Sequence, residues 1–233
     1  MSKFMTSTNT FDASNDPFPS NCIMPPPYAM EYKPTPGRVI EMEGDLFEAP
    51  DGAALIHACN CRGGWGKGIA KTFKNKYPTA FKVYESHCDY YLEFPQFLNT
   101  SEAIVSTGTI SRKIQRPEGT ALVIPPQKED YERSDAKRHW IICLFTSRGV
   151  GRNVSSADVV LENTELAIAD LKVQLGLLKS GDLGPDVIGI KELWSCRFNS
   201  GLFKVDWRYS REILEDSGLA TTVVRPPEDS EEE

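Results

Sequence analysis

No apolar run in the chain approaches the length that crosses a bilayer, so no helical membrane span is expected. The first residues lack the apolar core of a secretory signal. There are 6 cysteines but no Cys-x-x-Cys pair, and with no export signal they point to reduced thiols in the cytoplasm or nucleus, not to a disulfide or zinc framework. No carboxylate-rich cluster suggests a metal, no cofactor is implied, and no repeat of fixed period is visible. A net charge of -7 excludes a broad, charge-driven nucleic-acid surface. One absence is local. From Gly52 to Tyr84 there is no Asp or Glu, while Arg62, Lys67, Lys71, Lys74, Lys76 and Lys82 are all basic.

Both ends of the 233-residue chain are poor in apolar residues. Residues 1–35 are rich in Ser, Thr, Asn and Pro, and residues 226–233 are Pro-rich and then acidic. Neither stretch buries enough apolar surface to offset its ordering entropy, so both are expected to be disordered tails that can be trimmed without loss of activity. Residues 36–225 then form one domain.

Within that domain, strand-like and helix-like stretches alternate. Strands are expected at 38–43, 53–58, 108–114, 121–124, 139–146, 186–193 and 220–224, and helices at 68–77, 80–88, 162–178 and 206–216, with 128–138 a charged loop. Apart from His57 the run at 53–58 is continuously apolar, as in a strand buried on both faces. On the first helix Ile69, Phe73 and Tyr77 recur at intervals of four and make one apolar face, and Pro78 ends it. This alternation predicts an α/β domain of three layers, helices on both faces of a sheet. Three glycine-bearing loops, 60–68, 147–152 and 199–203, follow strands and are expected to meet around one cleft.

The first loop has glycine at 63, 64, 66 and 68 and runs directly into a helix. Glycines expose backbone N–H groups, and the helix aims its positive end at the same point, so a phosphate-bearing small molecule is the natural occupant. A Walker A loop needs Ser or Thr after Gly66-Lys67, where Gly68 stands. A Rossmann loop needs a different glycine spacing and an acid ending a second strand, and the acid at the right distance, Glu85, lies in a helical stretch. Cys59 and Cys61 read as small residues packing at a strand end. His57 reads either as a core histidine or, standing near the loop mouth, as a catalytic one.

Taken together, Gly44-Asp45-Leu46, the run from His57 to Ala70, Leu144-Phe145-Thr146-Ser147 and Asn199-Ser200-Gly201-Leu202-Phe203 resemble a macrodomain. The likeness is greatest to the fungal ADP-ribose 1''-phosphate phosphatases, whose His-x-Cys-Asn-Cys-x-Gly-x-Trp-Gly-x-Gly-Ile-Ala run is matched from His57 on, and it spans residues 38–224. The resemblance implies a three-layer α/β/α domain with a central mixed sheet. It implies that Asp45 accepts a hydrogen bond from the adenine amino group, with its neighbours Gly44 and Leu46 also among the substrate-binding residues. It implies that Asn60 bonds hydroxyls of the distal ribose, with Ala58 and Cys59 before it also among the substrate-binding residues. Trp65, Gly66, Lys67, Gly68, Ile69 and Ala70 wrap the diphosphate. Asn199, Ser200, Gly201, Leu202, Phe203, Lys204 and Val205 form the second phosphate loop, with Phe203 against the ribose. The arginine-bearing turn 147–152 flanks the same end of the ligand.

Two departures stand out. Lys204 occupies a place where glycine is common. Ser147 stands where a related branch carries a lysine that attacks the ribose, which disfavours that covalent route. The implied activity is metal-independent hydrolysis of ADP-ribose 1''-phosphate, a metabolite that arises from transfer-RNA splicing products, in a cytoplasmic or nuclear monomer without membrane or nucleic-acid partners. His57, with Asp206 as second candidate, would handle the proton; Asp206 reads equally as a helix N-cap. The alternatives are a reader that holds ADP-ribose without chemistry and a hydrolase of mono-ADP-ribosylated proteins.

Overall fold

The computed structural model describes residues 37–98, 104–105, 108–109, 112–132, 136–181 and 188–227. The expected tail 1–35 lies outside the described residues, as does 226–233 apart from Pro226 and Pro227. In chain order the strands are β1 (Val39–Glu43), β2 (Ala54–Asn60), β3 (Ile104–Val105), β4 (Gly108–Thr109), β5 (Ala121–Ile124), β6 (Trp140–Ser147), β7 (Leu193–Cys196) and β8 (Thr221–Arg225). The helices are α1 (Gly68–Lys76), α2 (Pro78–Glu93), α3 (Lys128–Tyr131), α4 (Ala157–Ser180) and α5 (Trp207–Asp216). Six strands form a mixed sheet in the order β1-β8-β7-β2-β6-β5, parallel except that β5 runs against β6.

The period of two along β2 sorts its side chains between two cores. Leu55 and Cys59 point toward α1 and α2, where Phe73, Ala80, Phe81, Tyr84 and Cys88 meet them. Ala54 and Ile56 point to the other face, against Ala167, Ile168 and Leu171 of α4 and Leu214 of α5. Each face is covered by helices, which is why β2 and β6 read as continuous apolar runs. The three-layer mixed-sheet expectation holds.

Local expectations fail in three places. The strand expected at 186–193 is found at Leu193–Cys196; residues 182–187 lie outside the described set, and 188–192 pass beside the sheet, where the Ile188 carbonyl accepts from Trp140 Nε1 at 2.9 Å. The charged stretch 128–138 contains the helical turn α3, which carries Asp130 to the start of α2. There its carboxylate accepts from Thr79 N at 2.8 Å and Ala80 N at 2.9 Å, satisfying N–H groups that a helix start leaves without partners. Of the strand expected at 108–114, β4 takes only Gly108–Thr109, and residues 110–111 lie outside the described set.

His139 precedes β6 and is buried. Its Nε2 pairs with the Ala49 carbonyl at 2.9 Å, which fixes that nitrogen as the donor and leaves Nδ1 to accept from Tyr77 Oη at 2.7 Å. Burial holds His139 and His87 below the ordinary imidazole value. A depressed folded value means the unfolded chain binds more protons once pH falls below the unfolded imidazole pKa. Stability is therefore full above that value and is lost as pH falls through the folded one. The urea midpoint is expected to decline as pH falls below about 6.5, the ordinary imidazole value; a midpoint that stays flat as pH is lowered from there would overturn this expectation.

Candidate active site

Because β1, β8, β7, β2 and β6 are parallel, their last residues, Glu43, Arg225, Cys196, Asn60 and Ser147, share one edge of the sheet. All three glycine loops leave from that edge. Loop 60–68 is closed by the Asn60 amide: Oδ1 accepts from Arg62 N at 2.9 Å and Gly64 N at 3.4 Å, and Nδ2 donates to Gly64 O at 2.6 Å. Gly63 and Gly68 have φ of 71° and 55°, in the left-handed region that glycine enters without steric cost. Lys67 is the N-cap of α1 and makes no side-chain cap bond, and the first turn holds no acid. The positive end of the helix is thus bare at the foot of the loop. Gly66 is exposed, with no heavy atom within 4 Å of where a Cβ would stand.

The second loop, between β7 and α5, faces the first: Leu202 Cδ1 lies 3.9 Å from the Cβ position of Gly68. Asn199 anchors it from below. Its Oδ1 accepts from Thr146 Oγ1 at 2.8 Å, and its Nδ2 donates to Thr164 Oγ1 at 2.9 Å and Ser210 Oγ at 3.0 Å. One amide so ties β6, α4 and α5 to the loop. Asn199 and Lys204 have φ of 66° and 58°. Lys204 therefore adopts the conformation that glycine would give at that place, and the loop keeps its turn through the bonds Lys204 N to Gly201 O and Val205 N to Asn199 O, both 3.1 Å.

The third loop is fastened to the first. Ser147 O accepts from Cys61 N at 3.2 Å and from Cys61 Sγ at 3.4 Å. Ser147 Oγ donates to Gly149 O at 2.9 Å and accepts from Ser155 N at 3.1 Å. At the opposite end of the edge, exposed Asp45 caps the 3-10 turn Leu46–Glu48, Oδ1 accepting from Phe47 N at 2.9 Å, while Leu46 and Phe47 are buried. The three loops and Asp45 thus lie along one edge of the sheet.

Several side chains expected in the cleft are elsewhere. His57 has no exposed surface. Its ring stacks on Phe73 at 4.1 Å and meets Trp65 edge-on at 4.8 Å. Facing the α1/α2 core from mid-strand, it has no path to a substrate and is removed from the proton-transfer candidates. Trp65 is 1% exposed, its ring stacked on Tyr84 at 4.9 Å, so it floors the loop from within the core and walls no pocket. The side chains of Leu46, Cys59, Asn60, Asn199 and Val205 are buried, and Phe203 is 9% exposed. Any contact from most of these positions falls to the main chain. Ile69, expected on the core face of α1, is exposed, as is Leu202. These two are apolar side chains that the two loops present to solvent. Asp206 is the N-cap of α5, Oδ1 accepting from Arg208 N at 2.9 Å.

Among the described residues one group has the donor types of a metal site: His57, Cys59 and Cys143, with ligand atoms within 4.8 Å of one another. All three are buried beneath the loop floor. Burial pushes the Cys59 thiol well above its ordinary range, which keeps it protonated, and the group reads as thiols packed around a core imidazole.

No family model matches the chain. Its relatives are nonetheless close. The ADP-ribose 1''-phosphate phosphatase of Neosartorya fischeri is 57% identical over 199 residues, covering 84% of this chain and 98% of that protein. That of Aspergillus oryzae is 54% identical over 207 residues, 87% and 100% respectively. Among solved structures, the macrodomain of Mycobacterium tuberculosis DarG is similar with a TM-score of 0.54 at 20% identity, over 82% of this chain and 99% of that one, and the likeness is one of fold. On identity and coverage together, this chain belongs to the ADP-ribose 1''-phosphate phosphatase family, carried on the macrodomain fold.

Proposed function

We propose that the protein hydrolyses ADP-ribose 1''-phosphate, consuming one water and releasing ADP-ribose and inorganic phosphate. The observation that carries this reading is the cradle itself. An uncapped α1 start beside exposed Gly66, faced by the 199–205 loop, stands in a chain 57% identical to a phosphatase of that name. Backbone N–H groups at a helix start suit a diphosphate without any countercharged side chain, and the absence of acid from 52 to 84 leaves that potential unopposed. Exposed Asp45, acceptor-only when ionised, suits the adenine amino group at the far end. We further propose clearance of the metabolite left by transfer-RNA splicing as the role, in a cytoplasmic monomer.

With His57 in the core, Asp206 remains the ionisable residue proposed to activate water, and it sits directly after the second loop. Asn caps helices as well as Asp does, so Asp206→Asn separates the two roles. Thermal stability is expected to be unchanged while turnover falls by at least about tenfold, within the range of general acid–base effects. Unchanged turnover would leave Asp206 as a cap alone.

The function is tested by phosphate release from purified protein supplied with ADP-ribose 1''-phosphate, with and without chelator. Release supports the reading. No release under either condition, with ADP-ribose still bound, would favour a reader, and ADP-ribose freed from modified proteins would favour a de-ADP-ribosylating enzyme.

A further inference from the structure

Along the sheet edge the loops follow strand order: Asp45 after β1, 199–205 after β7, 60–68 after β2 and 147–153 after β6. Four strand intervals separate β1 from β6, about 19 Å at the usual interstrand spacing. A nucleoside diphosphate sugar with its base at Asp45 and its diphosphate at the α1 start points its far sugar carbon toward β6. The 1''-phosphate, the one group that distinguishes substrate from product, then lies against the turn that begins at Ser147. Arg148 is the first residue of that turn beyond the end of β6. Resting on the phosphatase reading, we propose that the Arg148 guanidinium binds the 1''-phosphate and sets the preference for substrate over ADP-ribose.

The turn is built to hold this side chain. Arg148 N donates to Ser155 Oγ at 3.1 Å, and the preceding carbonyl is locked to Cys61 of the glycine loop. The guanidinium donates to Gln115 Oε1 at 2.6 Å and lies 3.6 Å from Glu118 Oε2. Glu118 is buried and is claimed more closely from its other oxygen, by Arg112 Nη1 at 3.1 Å and Asn163 Nδ2 at 3.0 Å. Asn163 Nδ2 also donates to Thr146 O at 2.9 Å, which ties the network to β6. Arg148 is therefore oriented by Glu118 without being fully neutralised by it. Its side chain is 45% exposed, and a guanidinium carries five N–H donors, so several stay available to phosphate oxygens in the planar fork that suits them. Lysine offers a point charge in place of that fork.

Two ligands are titrated calorimetrically, ADP-ribose and ADP-ribose 1''-phosphate, against wild type, Arg148→Gln and Arg148→Lys, alongside steady-state phosphate release. To keep the phosphorylated ligand intact during titration, temperature and time are limited to less than one turnover. Arg148→Gln is expected to weaken binding of the 1''-phosphate, and to raise its KM, by roughly ten- to a hundredfold. Its affinity for ADP-ribose should stay within about twofold of wild type, and Arg148→Lys should recover part of the loss. The inference is overturned if Arg148→Gln treats both ligands as wild type does. It is equally overturned if both affinities fall together, since that marks a role in holding the turn. Wild type that binds the 1''-phosphate more tightly than ADP-ribose but releases no phosphate would sink the phosphatase reading. The Arg148 assignment would then still be decided by whether the glutamine variant abolishes that preference.

Discussion

A Gly66→Val variant is expected to fold as the wild type does and to bind ADP-ribose at least about a hundredfold more weakly, a loss of about 2.7 kcal/mol. The two halves of this expectation rest on the same observation. No heavy atom lies within 4 Å of the Cβ position, and Gly66 is not among the glycines with positive φ, so a side chain there meets neither protein atoms nor backbone strain. The space it fills lies beside the bare α1 start, where a phosphate oxygen must approach main-chain N–H groups to within hydrogen-bond distance. A β-branched side chain holds the anion away, and the interaction with an N–H dipole falls off within that distance. Gly68 makes a useful contrast. Its φ of 55° lies in the left-handed region that a β-branched residue disfavours, so Gly68→Val would lose stability along with affinity. Thermal melting and calorimetry on Gly66→Val separate the cases: affinity within about threefold of wild type would place the ligand elsewhere.

The sequence made the layer order and the loops readable because both depend on short-range pattern. Apart from His57 the run 53–58 is apolar on both faces, and the glycines that follow at 63–68 signal a turn into a helix; neither needs knowledge of distant residues. What faced which way was harder to read. In a strand covered on both sides, period two gives no sign of exposure, so His57 looked as available as Asn60 although its ring lies between Phe73 and Trp65. Trp65, which the resemblance sets among the residues that wrap the diphosphate, turns into the core because the aromatic partners beneath it come from α1 and α2, which the loop's own residues do not reveal. Lys204 read as a defect in the second loop, whereas the bonds closing that loop stabilise a left-handed conformation in a residue that disfavours it. The support around Arg148 was invisible for another reason. Gln115 is 33 residues before it, and the Glu118–Asn163 bond spans 45, and no spacing rule links positions brought together by a sheet and a long helix. Strand β7 was misplaced because Val187 to Ile190 carries the stronger apolar signal while Leu193–Cys196 includes a buried Ser195.

Trp65 separates a loop built around its ligand from one built on a core. If the indole walls the pocket, Trp65→Ala weakens ADP-ribose binding and leaves the melting temperature alone. Its surroundings imply the reverse. The ring is 1% exposed and touches Tyr84, His57, Phe73 and Phe81 at centroid distances of 4.9, 4.8, 5.8 and 5.6 Å. Truncating a buried tryptophan removes its transfer energy and leaves a cavity that such a close-packed cluster fills only in part, so the expected loss is about 3 to 5 kcal/mol. Trp65→Phe should cost much less, about 1 to 2 kcal/mol, because it keeps a ring in the cluster and deletes an indole Nε1 that is buried with no hydrogen-bond partner among the described residues. The phenylalanine variant is the decisive one, since it stays folded. It should bind ADP-ribose with nearly wild-type affinity and unfold at a lower urea concentration. Wild-type stability with lost affinity would return Trp65 to the pocket wall and, with it, the neighbouring His57 to the list of groups a ligand reaches.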